Sequence, residues 1–307
     1  MVVGVTGSEG FLGKYLVEEL LKRKHYVIKY GHKAGFDLLN VKDCKKVAQN
    51  CEVIIHLAAK VGGIGANRKY PYDFFYENLI MGTQLFEEAR KAKIKKFVTV
   101  GTICSYPKYT PTPFKEHRLW AGYPEETNAP YGLAKKMLLV QGQAARQQYG
   151  FSSIHLLQVN LYGLGDNFDS ESSHVIPAMI TKFYEAKKLS LDKVTLWGTG
   201  TPTREFLYVE DAARGIVDAM EHYDKPEPIN LGSGMEISIK DLAETIKDII
   251  GYKGVIVWNK TQPDGQPRRN LDVSKAKREF GFVATTSFQR GIRETIKWYE
   301  STQKANS

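Results

Sequence analysis

The sequence predicts an α/β fold: a doubly wound parallel Rossmann sheet with a smaller mixed α/β lobe. Three observations carry this. The chain opens on a strand of buried character that runs into G-x-x-G-x-x-G and then a helical period. Strand and helix patterns alternate regularly through the first half, as a right-handed parallel sheet requires. Past residue 160 the alternation gives way to long loops, short strands and Gly-rich turns. The expected organisation is a dinucleotide-binding domain over residues 1–160, whose core also receives later strands near 205–232. A substrate-binding lobe over 161–307, interleaved with the first, would complete it and leave a cleft between them.

Composition sets the outer limits. The chain has 307 residues, 42% hydrophobic and 25% charged, which is ordinary for a globular protein. No apolar run approaches the ~18 residues of a membrane span. Val2 already belongs to the first strand, so no leader is expected. The net charge of +9 comes from basic residues scattered among carboxylates, a pattern of solvated helix faces rather than a nucleic-acid surface. A basic cleft would instead attract polyphosphate ligands. Cys44, Cys51 and Cys104 are few and lack metal-ligand spacing, so no metal site and a reduced, cytoplasmic setting are expected.

Val2 to Thr6 forms the first strand, and a helix follows to about Arg23. Gly7 permits the tight turn, Gly10 lets backbone approach a pyrophosphate, and Gly13 allows close helix–strand packing. Phe11 opens the helix, whose first N–H groups can meet phosphate oxygens. The second strand, Tyr26 to Tyr30, is followed by Gly31-His32-Lys33. No carboxylate stands there to take a ribose 2′-hydroxyl, and Lys29, His32 and Lys33 favour a 2′-phosphate, hence NADP(H). Glu9, inside the glycine turn, cuts the other way. Asp37 and Leu38 can line an adenine ahead of a helix from Val41 to Gln49. The strand Glu52 to His56 leads to small residues, with Ala58 letting a cofactor lie flat; His56 reads as a packing residue. Lys60 to Asn78 is expected as a loop entering a long helix that reaches about Lys93.

Chemistry concentrates between Val100 and Lys136. A strand from Lys96 to Val100 ends at Gly101-Thr102, and a helix opened by Tyr131 runs to about Tyr149. Tyr131 and Lys135 lie one helical turn apart on one face. An ammonium so close stabilises a phenolate and makes the tyrosine a proton donor and acceptor near neutral pH. Thr102 can share the same substrate oxygen. Alone, this indicates carbonyl reduction.

Farther on, a strand around Ser153 to Asn160 precedes the loop NLYGLGDNFDSESSHVIPAMI and a helix from about Val175 to Lys187. WGTGTPTREFLYVEDAA then provides a turn, a strand and a helix from Glu210 to about Tyr223, and a helix from Ile239 to Ile250 follows. Together with VTGSEGFLG, HLAAKVGGIGAN, GTICSYPK, YGLAKK and DGQPRRNLDVSKAK, these stretches make the chain resemble the GDP-L-fucose synthases of the extended short-chain dehydrogenase/reductases. The resemblance runs over nearly the full length, and GGIGAN, DNFDSESSHVIPA and WGTGTPTREFLYVEDAA are its most specific parts.

That resemblance implies epimerisation at C3 and C5 of GDP-4-keto-6-deoxy-D-mannose, then reduction at C4 with NADPH, in a homodimer joined through the helices near Asn78–Lys93 and Tyr131–Tyr149. It implies Tyr131 as catalytic acid, Lys135 as its helper and a cofactor-ribose ligand, and Cys104 and His174 as the epimerisation pair. Thr102 stands at the family's serine. Trp197 and Arg204 match residues on the GDP portion, and Asn160, Asn167, Val175 and Arg268 are assigned to substrate. Without the resemblance, Cys104 would read as a small buried residue, His174 as a surface cap, and Arg204 as a partner of Glu205. The chain departs from the family at Thr102, Ile103, Ser105 and Leu164, all near the sugar. Three functions follow: an epimerase/reductase; a C4-reductase for another GDP-4-keto-6-deoxy hexose or heptose; and a non-catalytic NADP-binding sensor.

Overall fold

The computed structural model describes residues 1–169, 172–262 and 264–305; Ser170 and Glu171 of the DNFDSESSHVIPA motif lie outside them. Its first half runs β1 (Val2–Thr6), α1 (Phe11–Lys22), β2 (Tyr26–Tyr30), α2 (Val41–Gln49), β3 (Val53–His56), α3 (Ile64–Lys69), α4 (Pro71–Lys91), β4 (Lys96–Thr102), α5 (Ala129–Tyr149) and β5 (Ser153–Gln158). The second half runs β6 (Asn160–Tyr162), α6 (Val175–Lys188), β7 (Lys193–Trp197), β8 (Thr203–Arg204), β9 (Phe206–Tyr208), α7 (Val209–His222), β10 (Ile229–Leu231), β11 (Ile237–Ser238), α8 (Ile239–Ile250), β12 (Val255–Asn259), β13 (Arg268–Arg269), α9 (Ser274–Phe280) and α10 (Phe288–Ala305).

The large sheet has the order β10-β5-β4-β3-β1-β2, and every pair in it is parallel. The chain reverses direction across the sheet at β1, which has β2 on one side and β3 on the other. Such a switch point opens a crevice at the carboxyl ends of the strands. Side chains alternate faces along each strand. Val53, Ile55, Val98 and Val100 thus join Leu16, Leu20, Ile216 and Val217 on the face covered by α1 and α7. Ile54 and Phe97 join Val47, Leu85 and Phe86 under α2 and α4. The lobe has its own core of Ile176, Ile180, Phe183, Leu242, Ile246, Ile292 and Ile296.

Three elements differ from the sequence expectations. The stretch Lys60–Asn78 is mostly helical, because Pro71 starts α4 at its first turn, where a missing N–H costs nothing. Phe74, Asn78 and Met81 then follow at helical spacing on its buried face. Of the later stretches near 205–232, only Ile229–Leu231 joins the large sheet; Phe206–Tyr208 pairs with β6 instead. The expected strand from Ser153 to Asn160 breaks after Gln158, and Asn160 begins β6.

Candidate active site

The carboxyl edge of the sheet begins with the glycine turn. Gly7 has φ +69°, and a Cβ on it would come within 2.9 Å of the Ala58 nitrogen, so the turn abuts the end of β3 directly. Thr6 Oγ1 accepts from the Ala58 N–H at 3.2 Å and pairs with His56 Nδ1 at 2.9 Å. His56 is buried and serves packing. A Cβ on Gly13 would collide with the Gly7 carbonyl oxygen, so α1 seats on the turn only because residue 13 is glycine. Gly10 precedes α1 in extended conformation without a side-chain cap, leaving the first N–H groups, beginning at Phe11, for an anion.

Lys29 near the end of β2, and His32 and Lys33 beyond it, are exposed. Asp37 accepts from Leu39 N–H at 3.0 Å. Leu38 is buried in the core with α2, Cys44 donating to its carbonyl oxygen, so its side chain does not face the cleft as expected. Lys135 is 3% exposed, and its ammonium makes no hydrogen bond or ion pair with a described residue. Burial alone pulls it down to about 8. A buried cation without a partner at the dinucleotide end of the sheet fits the ribose hydroxyls of a nicotinamide coenzyme.

Helix α5 is clamped to the end of β4. A Cβ on Gly132 would collide with the Cys104 carbonyl oxygen, and Ser105 Oγ donates to the Gly132 carbonyl at 2.8 Å. This contact sets Tyr131 beside the turn Ile103–Ser105. Thr102 Oγ1 accepts from Cys104 N–H at 3.2 Å. The Tyr131 phenol is pushed well up, first by burial and then by the Cys104 sulfur. That is opposite to the expected lowering by Lys135, whose own charge is weakened by burial. Tyr131 therefore stands as a protonated acid, suited to donate to a developing oxyanion.

The opposing wall comes from the lobe. β13 lies parallel to β8 with Arg269 level with Arg204, so the two guanidiniums share a face. Arg204 Nη1 donates to the Thr203 carbonyl at 2.7 Å and Nη2 to the Asp264 carbonyl at 3.3 Å. Burial, then the Arg269 charge, pulls Arg204 down to about 10. Arg269 is buried; its Nε donates to Gln266 Oε1 at 2.8 Å and its Nη1 to Cys104 Sγ at 3.5 Å. Asp264 and Glu125 act on Arg204 from nearby, but neither arginine forms a salt bridge with a described carboxylate, and two such guanidiniums side by side can take a diphosphate.

Arg204 does not pair with Glu205. The Glu205 carboxylate accepts from the N–H groups of Ser233, Gly234 and Leu271 at 2.6–2.7 Å. Arg268 is a correction: it is exposed and forks onto Glu236 at 2.8 and 2.7 Å. Alternation along a short strand turns Arg268 out and Arg269 in. The register with Arg204 could have told which of the two faces the cleft, had β13 been recognised as a strand.

His174 precedes α6 and forms no side-chain cap. Its side chain is exposed, and desolvation by the surrounding chain lowers its pKa. The turn at Gly63 fastens this segment, its N–H donating to the Ser172 carbonyl at 3.3 Å. Val175 begins α6 and packs on the lobe core. Trp197 ends β7 with 58% of its surface exposed. Asn160 donates to the Glu205 carbonyl at 3.3 Å. Asn167 spends its amide within its own loop, on Ser172 Oγ and Asp169 N–H, so it shapes that loop. Sequence reasoning pointed to the pair Arg268-Arg269 but assigned the wrong member, and it missed Gln266 and Asp264.

The NAD dependent epimerase/dehydratase family model matches residues 3–232. A GDP-L-fucose synthase from Sinorhizobium fredii is 40% identical, covering 97% of this chain and 94% of its own. The chain belongs to the GDP-L-fucose synthase family. Membership extends to neighbours of other specificity: a GDP-L-colitose synthase from Yersinia pseudotuberculosis is 33% identical, over 97% and 98% of the two chains. Among solved structures, a GDP-6-OMe-4-keto-L-xylo-heptose reductase from C. jejuni superposes with TM-score 0.91 at 28% identity, over 98% of each chain. A GDP-mannoheptose C4 reductase from Campylobacter jejuni, solved with NADP bound, gives 0.87 at 28%, over 97% and 98%. Family membership accounts for the α/β fold and for an enzyme of nucleotide-sugar chemistry. Among the described residues, no helix is long and apolar enough to cross a membrane.

Proposed function

We propose that the chain is an NADPH-dependent epimerase/reductase that converts GDP-4-keto-6-deoxy-D-mannose to GDP-L-fucose. The observation that carries this is the Cys104 thiol, two residues from Thr102, which receives Arg269 Nη1 at 3.5 Å and lies close enough to Tyr131 to raise its phenol. A bound nicotinamide supplies hydride to C4. The chain's residues handle the protons. A C4 ketone acidifies C3 and C5, and removing either proton puts negative charge on the C4 oxygen. Hydride attack puts charge on that same oxygen, so Thr102 and Tyr131 serve both steps. Cys104 acts as base, with Arg269 Nη1 donating to its sulfur at 3.5 Å, and His174 returns the proton from the other face. Arg204, with Arg269 beside it, takes the diphosphate, and Trp197 offers an exposed face to the guanine. A free thiol at Cys104 fits a reducing cytoplasm. Exposed Tyr72, Tyr76 and Val140 on α4 and α5 support a homodimer through those helices.

The test is incubation with GDP-4-keto-6-deoxymannose in deuterated water, with NMR of sugar and product. Deuterium at C3 and C5 before coenzyme is added, then GDP-L-fucose after it, is the expected result. No exchange with intact reduction selects the second reading, a C4-reductase for another GDP-4-keto-6-deoxy hexose or heptose. That reading is favoured by the change at Thr102; Ile103 and Ser105, expected near the sugar, are buried behind Cys104 instead. Coenzyme binding without any reduction would leave a sensor.

A further inference from the structure

We propose that Glu9 sets the coenzyme choice, admitting NADH beside NADPH by taking the ribose 2′-hydroxyl and opposing the 2′-phosphate. This rests only on the nicotinamide part of the function above. In a Rossmann site the ribose lies past the second strand, where a carboxylate selects the hydroxyl and cations accept a phosphate. Gly31 to Phe36, directly after β2, include no carboxylate, and Asp37 beyond them turns back onto the Leu39 N–H. The glycine turn delivers one from the other side. Glu9 Oε2 accepts from the Lys33 N–H at 3.2 Å. A Cβ on Gly31 would lie 2.8 Å from Oε2 and 2.9 Å from Cδ, so glycine at 31 makes room for the carboxylate.

The turn bearing Glu9 is itself stitched to the end of β2. Gly7 N–H and Ser8 N–H donate to the Tyr30 carbonyl at 2.9 and 3.4 Å, and Ser8 Oγ does so at 3.4 Å. The carboxylate is therefore held in place by backbone contacts. The nearby cations are held differently. Lys29, His32 and Lys33 are exposed, their side chains make no hydrogen bond with a described residue, and none forms an ion pair with Glu9. A ribose hydroxyl meets a fixed acceptor there. A 2′-phosphate meets a fixed like charge, offset by flexible lysines that lose side-chain entropy in binding it. The two opposing contributions bring the two coenzymes close in affinity.

The experiment is titration of the full-length protein with NADH and with NADPH, followed by fluorescence of the bound nicotinamide, for the wild type, Glu9→Gln and Glu9→Arg. The wild type should favour NADPH by no more than about twentyfold. Glu9→Gln, which keeps the shape and the acceptor for Lys33 N–H, should shift the affinity ratio toward NADPH by about fivefold or more, and Glu9→Arg further. A larger wild-type preference overturns the proposal, as does a smaller shift in Glu9→Gln. Because the readout is coenzyme binding, a protein that reduces no GDP-keto-sugar would refute the proposed reaction while leaving this inference standing or falling on its own ratio.

Discussion

Adjacent arginines divide the work at β13: Arg268 forks onto Glu236 in solvent, and Arg269 reaches Cys104. Arg268→Ala should leave turnover within about twofold and stability within about 1 kcal/mol, as exposed pairs contribute little. Arg269→Ala should slow deuterium exchange at C3 and C5 at least about tenfold, since a charge-assisted contact to the base is lost; exchange rates by NMR compare the two. Lys135 carries a different signal. Burial lowers it from 10.5 to about 8, beside His155, itself lowered to about 3 first by burial and then by Lys135. An ammonium disfavoured in the folded state destabilises the fold fully below pH 8. The penalty fades between pH 8 and 10.5, where the unfolded chain holds the extra proton, so stability rises with pH through that window. Lys135→Met should therefore be more stable than wild type at pH 7, by on the order of 2 kcal/mol. The gain should shrink by pH 10, in urea melts without coenzyme, while reduction is lost. Tyr131, Lys135 and Thr102 were readable in advance because helical spacing and a strand end suffice to place them. The direction of the Tyr131 shift was not, since burial is a property of the assembled cleft.

Elements meet through glycine where the chemistry needs them closest. Gly132 allows the first turn of α5 to lie on the Cys104 carbonyl, and nothing larger fits. Gly132→Ala should push Tyr131 away from Thr102, lowering kcat by more than about tenfold and stability by about 1–3 kcal/mol, with KM for coenzyme raised as well because Lys135 moves with the same helix. Steady-state kinetics and a thermal melt check both. The Rossmann alternation, from β1 through β5, could be read because each strand and helix there is long enough to show its period. The start of α4 could not: glycines and aromatics before Asn78 resemble a loop, and only the buried face of Phe74, Asn78 and Met81 shows the helix. The two-residue strands β8 and β13 have no period at all, so which of Arg268 and Arg269 faces the cleft was out of reach.

At the scale of the molecule, the lobe and the sheet are tied by buried polar contacts. Glu205, fully buried, accepts three backbone N–H groups from segments after β10 and β13. Burial lifts it to about 7, with those N–H groups pulling the other way. Glu205→Ala would leave three donors unpaired and should cost about 3 kcal/mol or more, with Glu205→Gln intermediate, in equilibrium denaturation. Phe114 is paired to the same region, its N–H on the Asn270 carbonyl at 2.7 Å. Sequence order hides such ties, because they join residues far apart. The return of β10 to the sheet has a consequence during synthesis. β5 is finished at Gln158, yet its outer neighbour starts only at Ile229. At ribosomal speed the nascent sheet carries a bare edge for roughly ten seconds, long enough for another chain to pair with it. A fragment ending near residue 160 keeps that edge for good, and its yield of soluble protein should depend on a chaperone.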